Sequence, residues 1–288
     1  MEEAKPSRTA LRVAMRRAAH QLYDAPPLVL DDPFAVRILG PHAAELDRTP
    51  ARDRPHNPGL KPRPFSIGLR AFLVARSRYA EDLLASAVER GITQYVLLGA
   101  GLDTFAHRNP YPSLRVFEVD HPATQQWKCE LLCDAGLATA ANLAYVPVNF
   151  ERQSLAEQLF AAGFNPAAPS FFAWLGVVPY LTLDAFRATL GFIATQPRGS
   201  GAVFDYGQPR SVLPPHEQLA HDSLASRVQL AGEAFQLFFA PAAVTAELAA
   251  FRDIEDIGSA EINARYFTGR TDNLSVVGTA GRLVSAWL

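Results

Sequence analysis

The chain has 288 residues, of which 49% are hydrophobic and 19% charged, enough apolar material for one large core. The formal net charge of −2 offers no electrostatic surface to DNA or RNA, so no nucleic-acid partner is expected. No signal peptide and no membrane-spanning apolar run is indicated. Two cysteines, Cys129 and Cys133, lack metal-ligand spacing, and we expect reduced thiols in a cytoplasmic protein without a metal.

The first part of the chain has helical patterns on either side of a proline-rich segment. Helical spacing of apolar residues predicts a helix over 9–23, and residues 32–34 open a second, short helix with proline in its first turn. Five prolines within residues 47–66 exclude helix and strand there and predict a long loop, mobile when the site is empty. Helical spacing then resumes over 67–90 and ends before Gly91, a residue suited to a C-cap.

Strand and helix patterns alternate in the middle of the chain, which predicts parallel strands with helices on both faces. The predicted strands cover residues 95–98, 114–119, 144–148, 170–175 and 202–206, and the predicted helices cover 121–135, 155–162 and 183–194. Residues 214–251 have only helical patterns and predict a helical lobe over one end of the sheet. Strand patterns return over 253–258 and 273–278, as expected of a hairpin at a sheet edge.

A glycine turn follows the first strand of this alternation, in the stretch QYVLLGAGLDT. Ligands of an open parallel sheet bind at the carboxyl ends of its strands, and glycine lets the backbone turn sharply and approach them. A dinucleotide fingerprint has a third glycine three residues after Gly101, but Thr104 stands there. Gly99 and Gly101 are candidate ligand-binding residues, although the turn also fits a plain strand ending.

Acidic residues end the second predicted strand. The carboxylate of Asp120 can accept hydrogen bonds from both ribose hydroxyls of a nucleoside, and it is also suited to cap the next helix. NAD needs its pyrophosphate on a helix N-terminus, whereas S-adenosylmethionine has no phosphate and needs a turn, an acid and a slot for adenine. The missing glycine and the early Pro110 favour S-adenosylmethionine.

Further polar residues fit the same cofactor. Asn149 offers a donor and an acceptor to an adenine edge and Phe150 an apolar face, although both are also ordinary turn and core residues. Arg76, on the helix before the glycine turn, can bind the cofactor's carboxylate through two parallel hydrogen bonds. Its neighbour Arg78 is expected instead to pair with an acidic residue at helical spacing.

The chain resembles the leucine carboxyl methyltransferase superfamily, in particular its bacterial branch of S-adenosylmethionine-dependent methyltransferases. The resemblance spans nearly the whole chain and is carried, in order, by VARSRYAEDLL, YVLLGAGLDTFAHR, VFEVDHPATQQWK, YVPVNFE, FFAWLGVVPYLT and RYFTGR. It implies an α/β, Rossmann-like class I methyltransferase fold with a seven-stranded, mostly parallel sheet whose last strand is antiparallel. A helical cover at the N-terminus and a helical insertion over the site are implied as well.

The resemblance also implies one methyltransferase domain and assigns roles to its residues. The expected parts are a helical cover (1–90, with the proline-rich loop at 47–66), a cofactor-binding core (91–210), a helical lid (211–251) and closing strands (252–288). By their motif positions, Arg76 binds the cofactor carboxylate, Gly99 and Gly101 line its methionine part, Asp120 holds the ribose, and Asn149 and Phe150 lie at the adenine.

Two positions depart from the family pattern. Asn149 stands where the family usually has aspartate, and its amide oxygen can still accept from the adenine amino group. Leu175 stands where many members have glutamate, five residues before Tyr180, which removes one polar contact to the cofactor or substrate. The substrate of the eukaryotic carboxyl methyltransferases is therefore not expected to carry over.

The predicted reaction is O-methylation of a small molecule at a carboxylate or hydroxyl, in a setting such as secondary metabolism. The enzyme chiefly aligns nucleophile, methyl group and sulfur and excludes water, and no metal is needed. Candidate cations for an acceptor carboxylate are Arg17, His20 and Arg78. Tyr180 can hydrogen-bond the acceptor, although it is equally suited to cap a helix.

The predicted lid suggests an apolar or aromatic acceptor. Its candidate lining residues, which are equally typical of a helix core, are Leu230, Phe235, Leu237, Phe238 and Phe239. A monomer or homodimer is expected. Two other classes of protein remain open, namely a nicotinamide-dependent oxidoreductase and a cofactor-binding protein without catalysis.

Overall fold

The computed structural model of the protein describes residues 6–46, 66–149, 153–230 and 232–288. Its α-helices are α1 (Arg8–Tyr23), α2 (Ile67–Glu89), α3 (Phe105–Arg108), α4 (Pro122–Asp134), α5 (Leu155–Ala161), α6 (Leu183–Ala194), α7 (Pro215–Gln229), α8 (Pro241–Glu247) and α9 (Ser259–Tyr266). Its strands are β1 (Gln94–Leu98), β2 (Arg115–Asp120), β3 (Leu143–Pro147), β4 (Ser170–Trp174), β5 (Gly201–Gly207), β6 (Arg252–Ile257) and β7 (Gly281–Trp287). Short 3₁₀ segments lie at Arg37–Glu45, Val178–Tyr180 and Arg210–Val212.

The described strands form one seven-stranded sheet in the order β3-β2-β1-β4-β5-β7-β6. Strands β1 to β5 pair in parallel, and β7 pairs antiparallel with both β5 and β6. The expected mostly parallel sheet with an antiparallel last strand is confirmed. Strand order reverses between β1 and β4, which places a ligand site at the carboxyl ends of these two strands.

Helices cover both faces of the sheet, and each face has its own core. Because successive strand residues point to opposite faces, Tyr95 packs in a core that includes Tyr79 of α2, while Val96 packs in a core that includes Phe186 of α6. All residues of β1 and β4 are buried. Burial on both faces explains why these two strands are continuous apolar runs in the sequence. All five strands predicted before residue 207 are found.

The predicted helical lobe is less helical than its sequence pattern. Helices α7 and α8 form, but residues 233–240 between them have no regular secondary structure. Their backbone groups bond to other parts of the chain, since Gln236 N donates to Pro179 O at 2.7 Å and Phe239 N donates to Gly207 O at 3.0 Å. Tertiary hydrogen bonds therefore replace the helical ones that the pattern predicts.

The strand predicted over 273–278 does not form. The backbone N–H of Leu274 donates to Asp272, and the side-chain amide of Asn263 bonds both the N–H and the C=O of Val276. Leu274 and Val276 are buried in the core on the α2 side, which explains the apolar pattern of this segment. The antiparallel strand is β7 further along, and the sequence pattern predicts neither β7 nor α9.

Two sequence predictions fall largely where no structure is described. The proline-rich segment 47–66 lies outside the described residues except for its last residue, and Phe150 lies outside them too. The short helix expected from residues 32–34 appears as a turn followed by the 3₁₀ segment at Arg37–Glu45. Among the described helices, none is long and apolar enough to cross a membrane.

Candidate active site

A cleft of about 490 Å³ opens at the carboxyl ends of β1 and β4. The glycine turn after β1, the end of β2 and the turn after β4 line it from the sheet side, and α1 as far as Arg17 and residues 232–234 and 236 complete the lining. Among the predicted site residues, those that line this cleft are Arg17, Arg76, Gly99, Gly101, Asp120 and Tyr180. The fold thus brings together residues that lie up to 163 positions apart in the sequence.

The glycine turn has a backbone that only glycine adopts easily. Gly99 and Gly101 have φ angles of 68° and 51°. A Cβ on Gly99 would lie 2.4 Å from Cγ2 of Val177 in the turn after β4, and one on Gly101 would lie 3.1 Å from Cβ of Ala10 in α1. Both glycines are therefore required for the close approach of the elements that border the cleft.

Asp120 ends β2 beside this turn. One carboxylate oxygen accepts from the backbone N–H of Gly101 at 2.5 Å and the other from that of His121 at 2.7 Å. Burial raises the pKa of the Asp120 carboxyl, although these two hydrogen bonds act in the opposite direction. Each oxygen keeps a further lone pair, so the carboxylate can hold the turn and still accept hydroxyl donors from the cleft.

Arg76 lies in the wall of the cleft, on α2, and is only 7% exposed. Its Nη1 lies 2.9 Å from Oδ2 of Asp205 at the carboxyl end of β5. The other oxygen of Asp205 accepts from the backbone N–H of Gly176, in the turn after β4. Neither Nε nor Nη2 of Arg76 bonds to another described residue, so these two donors are available to a ligand.

The N-terminal cover is bonded to the glycine turn through Arg17. Its Nη2 donates to the backbone oxygen of Leu102 at 2.6 Å, and its Nη1 donates to Asp103 at 3.1 Å. Nε of Arg17 lies 3.6 Å from Asp32, which also accepts a hydrogen bond from the buried Thr104. Arg17 lines the cleft, but its charge is already balanced by two protein carboxylates.

Comparison with known proteins identifies the family. The sequence profile described as leucine carboxyl methyltransferase matches residues 10–194. The chain belongs to the leucine carboxyl methyltransferase family. It is 31% identical over 297 residues to the "Putative S-adenosyl-L-methionine-dependent methyltransferase YktD" of Bacillus subtilis, with 97% of each chain covered. A Mycobacterium marinum protein described as a "Putative S-adenosyl-L-methionine-dependent methyltransferase" is 34% identical over 184 residues, which are 62% of this chain and 56% of that one.

Solved structures agree with this membership. A structure described as a "putative methyltransferase" from Thermobifida fusca has a TM-score of 0.58 at 16% identity and covers 99% of this chain and 96% of its own. A DUF574 protein from Streptomyces avermitilis has a TM-score of 0.56 at 14% identity, with 96% of each chain covered. At such identities the likeness shows the fold alone, and the class I methyltransferase fold is confirmed. Family membership makes the chain an S-adenosylmethionine-dependent methyltransferase and sets the oxidoreductase alternative aside.

Two of the candidate substrate cations of this methyltransferase do not reach the cleft. His20 is fully buried, with Nδ1 2.8 Å from Asp24, because it belongs to the packed interior of the N-terminal cover. Arg78 is half exposed and its Nε donates to Asp82 at 2.7 Å, as helical spacing predicts. It borders a separate cavity, together with residues 265–266 and 268–272. The prediction that His20 or Arg78 faces the acceptor is therefore corrected, and neither remains a candidate.

The adenine end of the site stays a prediction. Asn149 follows β3 at the same edge of the sheet, and Val148 N donates to the backbone oxygen of Asp120 at 2.8 Å. Asn149 is not among the residues that line the cleft, and its backbone N–H donates to Gln153. Phe150 lies outside the part of the chain that the structure describes.

The apolar residues predicted to line the acceptor pocket do not line the cleft. Leu230 is 85% exposed, whereas Leu237 and Phe239 are buried in the core on the α6 side. Phe235 and Phe238 pack edge to face at 6.0 Å between ring centroids. Residues 233–240 are not helical, and the members of this segment that line the cleft are instead Glu233, Ala234 and Gln236.

Sequence reasoning misses two acidic residues of the site, Asp205 and Glu233. Asp205 is the one acidic residue of the apolar pattern AVFDY, and a buried acid at a strand end is a signal that could have found it. Glu233 lines the cleft from an irregular segment, where no sequence period indicates which side chains face inward. Tyr180 lines the cleft from the 3₁₀ segment after β4, and its contact with an acceptor stays a prediction.

Proposed function

We propose that this methyltransferase transfers the methyl group of S-adenosylmethionine to a hydroxyl oxygen of a small, largely apolar molecule. The observation that carries the proposal is the distribution of charge in the cleft. Once Arg76 binds the cofactor's carboxylate, the only other guanidinium in the described lining is that of Arg17, which is balanced by Asp103 and Asp32. The lining also holds the carboxylate of Glu233, the phenol of Tyr180 and the imidazole of His121, whose Nδ1 already accepts from the backbone N–H of Ala123.

We place the cofactor along the sheet side of the cleft. We assign its carboxylate to Nε and Nη2 of Arg76, its methionine chain to the backbone of Gly99 and Gly101, and its ribose to Asp120. What supports this order is that all four residues line one cleft at the carboxyl ends of adjacent strands. Asn149 is our candidate for the adenine edge, from the next strand along.

Glu233 is the feature that favours a hydroxyl over a carboxylate as the acceptor. Its Oε1 accepts from the backbone N–H of Arg8, in the first turn of α1, at 3.0 Å. No described lysine or arginine side chain forms an ion pair with it. A carboxylate acceptor would be repelled by this charge, whereas a hydroxyl can donate a hydrogen bond to it.

Tyr180 supports the same choice. Burial raises the pKa of Tyr180 to about 12, and the negative charge of Glu233 contributes in the same direction. The phenol therefore stays neutral at physiological pH and can donate its O–H to the acceptor oxygen. Next to it the wall is apolar, with Val13, Leu175 and Val177 in the lining, which supports a hydrophobic acceptor.

The test is a broad panel of acceptors arranged in pairs that share an apolar frame and differ only in the reacting group, such as phenol with benzoate. With S-adenosylmethionine supplied, ether products from the hydroxyl members are expected, together with little or no ester from the carboxylates. Glu233→Gln should reduce the difference in methylation rate between the hydroxyl and the carboxylate member of a pair. Glu217→Gln is the matched control, because Glu217 bonds to Thr279 and does not line the cleft.

Two outcomes of the same acceptor panel would contradict the proposal. Ester products alone would make the acceptor a carboxylate. No transfer to any member by an enzyme that binds S-adenosylmethionine would favour a protein without catalysis. Either result would overturn the proposal that the protein methylates a hydroxyl, and ester products alone would also show that Glu233 does not select a hydroxyl acceptor.

A cytoplasmic setting is part of the proposal. Cys129 and Cys133 are both free thiols, and Cys133 is exposed, which supports a reducing compartment. Secondary metabolism as the setting, and a monomer or homodimer as the assembly, stay predictions.

A further inference from the structure

We infer that Asp205 is a positioning residue for the cofactor, which holds Arg76 in the orientation that receives the cofactor's carboxylate. The inference rests on the proposed role of Arg76. Asp205 is not among the residues that line the cleft, so it acts through Arg76 and does not touch the cofactor itself.

The contacts of Asp205 connect three elements. It lies at the carboxyl end of β5, is 5% exposed, and places Oδ2 2.9 Å from Nη1 of Arg76 on α2. Its Oδ1 accepts from the backbone N–H of Gly176 in the turn after β4. Because Phe204 is the register partner of Trp174, Asp205 stands one position further on, beside this turn. One buried carboxylate therefore fixes both the arginine and the turn.

The turn leaves the guanidinium little freedom. Gly176 has a φ of 72°, and a Cβ there would lie 2.6 Å from Nη2 and 2.8 Å from Nη1 of Arg76. The guanidinium thus lies against the bare backbone of the turn while Asp205 holds its Nη1. An arginine that is already oriented loses less conformational entropy when it binds, which increases affinity.

The ion pair with Asp205 leaves one edge of the Arg76 guanidinium available to a ligand. With Nη1 bonded to Asp205, the Nε and Nη2 donors remain, and these two form the fork that matches a carboxylate. The neutral Arg76–Asp205 pair also suits the ligand's charge, because the amino-acid part of the cofactor carries both an ammonium and a carboxylate. Asp205 therefore contributes orientation and charge balance, and Arg76 makes the contact.

The test compares two ligands that differ at the group Arg76 binds. S-adenosylhomocysteine has the amino-acid carboxylate, whereas 5′-methylthioadenosine shares the adenosine and thioether but lacks it. In titration calorimetry, Asp205→Asn should lower the affinity for S-adenosylhomocysteine about ten-fold, as expected for a disturbed charged hydrogen bond. The affinity for 5′-methylthioadenosine should fall by less than about two-fold. A purely structural role would weaken both ligands equally.

Three further variants make the result decisive. Asp205→Glu keeps the charge and should retain more of the preference for S-adenosylhomocysteine than Asp205→Asn does. Adding Asp205→Asn to Arg76→Ala should cause no further loss, because the residue acts through Arg76. Asp24→Asn is the matched control: it breaks another buried ion pair, with Arg70, away from the cleft, so it should lower the Tm without changing the ligand preference.

Failure of this inference is distinguishable from failure of the proposed site. If Arg76→Ala selectively weakens S-adenosylhomocysteine while Asp205→Asn leaves the ratio of the two affinities unchanged, the role of Asp205 is overturned and the site stands. If Arg76→Ala has no effect on either ligand, the placement of the cofactor carboxylate is overturned, and the role of Asp205 with it.

Discussion

The side-chain hydroxyl of Thr104 donates a 2.7 Å hydrogen bond to Asp32, at the position where a dinucleotide-binding turn has its third glycine. Both side chains are fully buried, and Asp32 also faces Arg17. The residue that departs from the dinucleotide fingerprint therefore joins the glycine turn to the N-terminal cover. A third glycine would remove that connection.

Thr104→Val should test this connection, because valine keeps the shape of threonine and removes the hydroxyl. It leaves a buried oxygen of Asp32 without one of its donors, so the free energy of unfolding should fall by about 1–3 kcal/mol. Urea denaturation measures the change. Thr104→Ser, which keeps the hydroxyl, is the control and should lose less. Equal stability of the valine variant and the wild type would show that the hydrogen bond does not hold the cover.

Arg76→Ala and Asp120→Ala should each weaken S-adenosylmethionine about ten-fold or more, since each removes a charged hydrogen-bond partner of the cofactor. Arg78→Ala is the control, two residues along the same helix but half exposed and paired with Asp82, and it should leave the affinity unchanged. Titration calorimetry measures the affinity of each variant for S-adenosylmethionine. Wild-type affinity in both cleft variants would mean that the cofactor lies elsewhere.

Parts of this site are readable from the sequence because they are local. The glycine turn directly follows β1 and Asp120 is the last residue of β2, and apolar runs mark both strands. The bond between Arg76 and Asp205 joins residues 129 positions apart, and no local pattern pairs them. The strand predicted over 273–278 is wrong for a similar reason, because Leu274 is buried by packing on the core and not by strand pairing.

Cofactor affinity should fall as the pH is lowered, and the cause is Asp120. Burial raises the pKa of this carboxyl above its ordinary value, so it takes up a proton at a higher pH than an exposed aspartate does. Only the ionised form accepts from both ribose hydroxyls, hence binding is complete above the raised pKa and is lost as the pH falls through it. Affinities for S-adenosylhomocysteine from pH ~8 to pH ~5 test this. Asp120→Asn should bind more weakly and show a flatter profile, and parallel profiles would contradict the assignment.

Lys128→Met should strongly destabilise the fold, because Lys128 and Glu118 form a fully buried ion pair at 2.5 Å. Removing one partner leaves an uncompensated buried charge, which costs about 3–5 kcal/mol. Burial raises the pKa of Glu118, and losing Lys128 raises it further, so the folded variant binds more protons than the unfolded one and gains stability as the pH falls. Urea denaturation at several pH values measures this slope. The double variant Lys128→Met with Glu118→Gln removes both charges and should recover most of the lost free energy of unfolding. A double variant as unstable as the single one would show that lost packing causes the destabilisation.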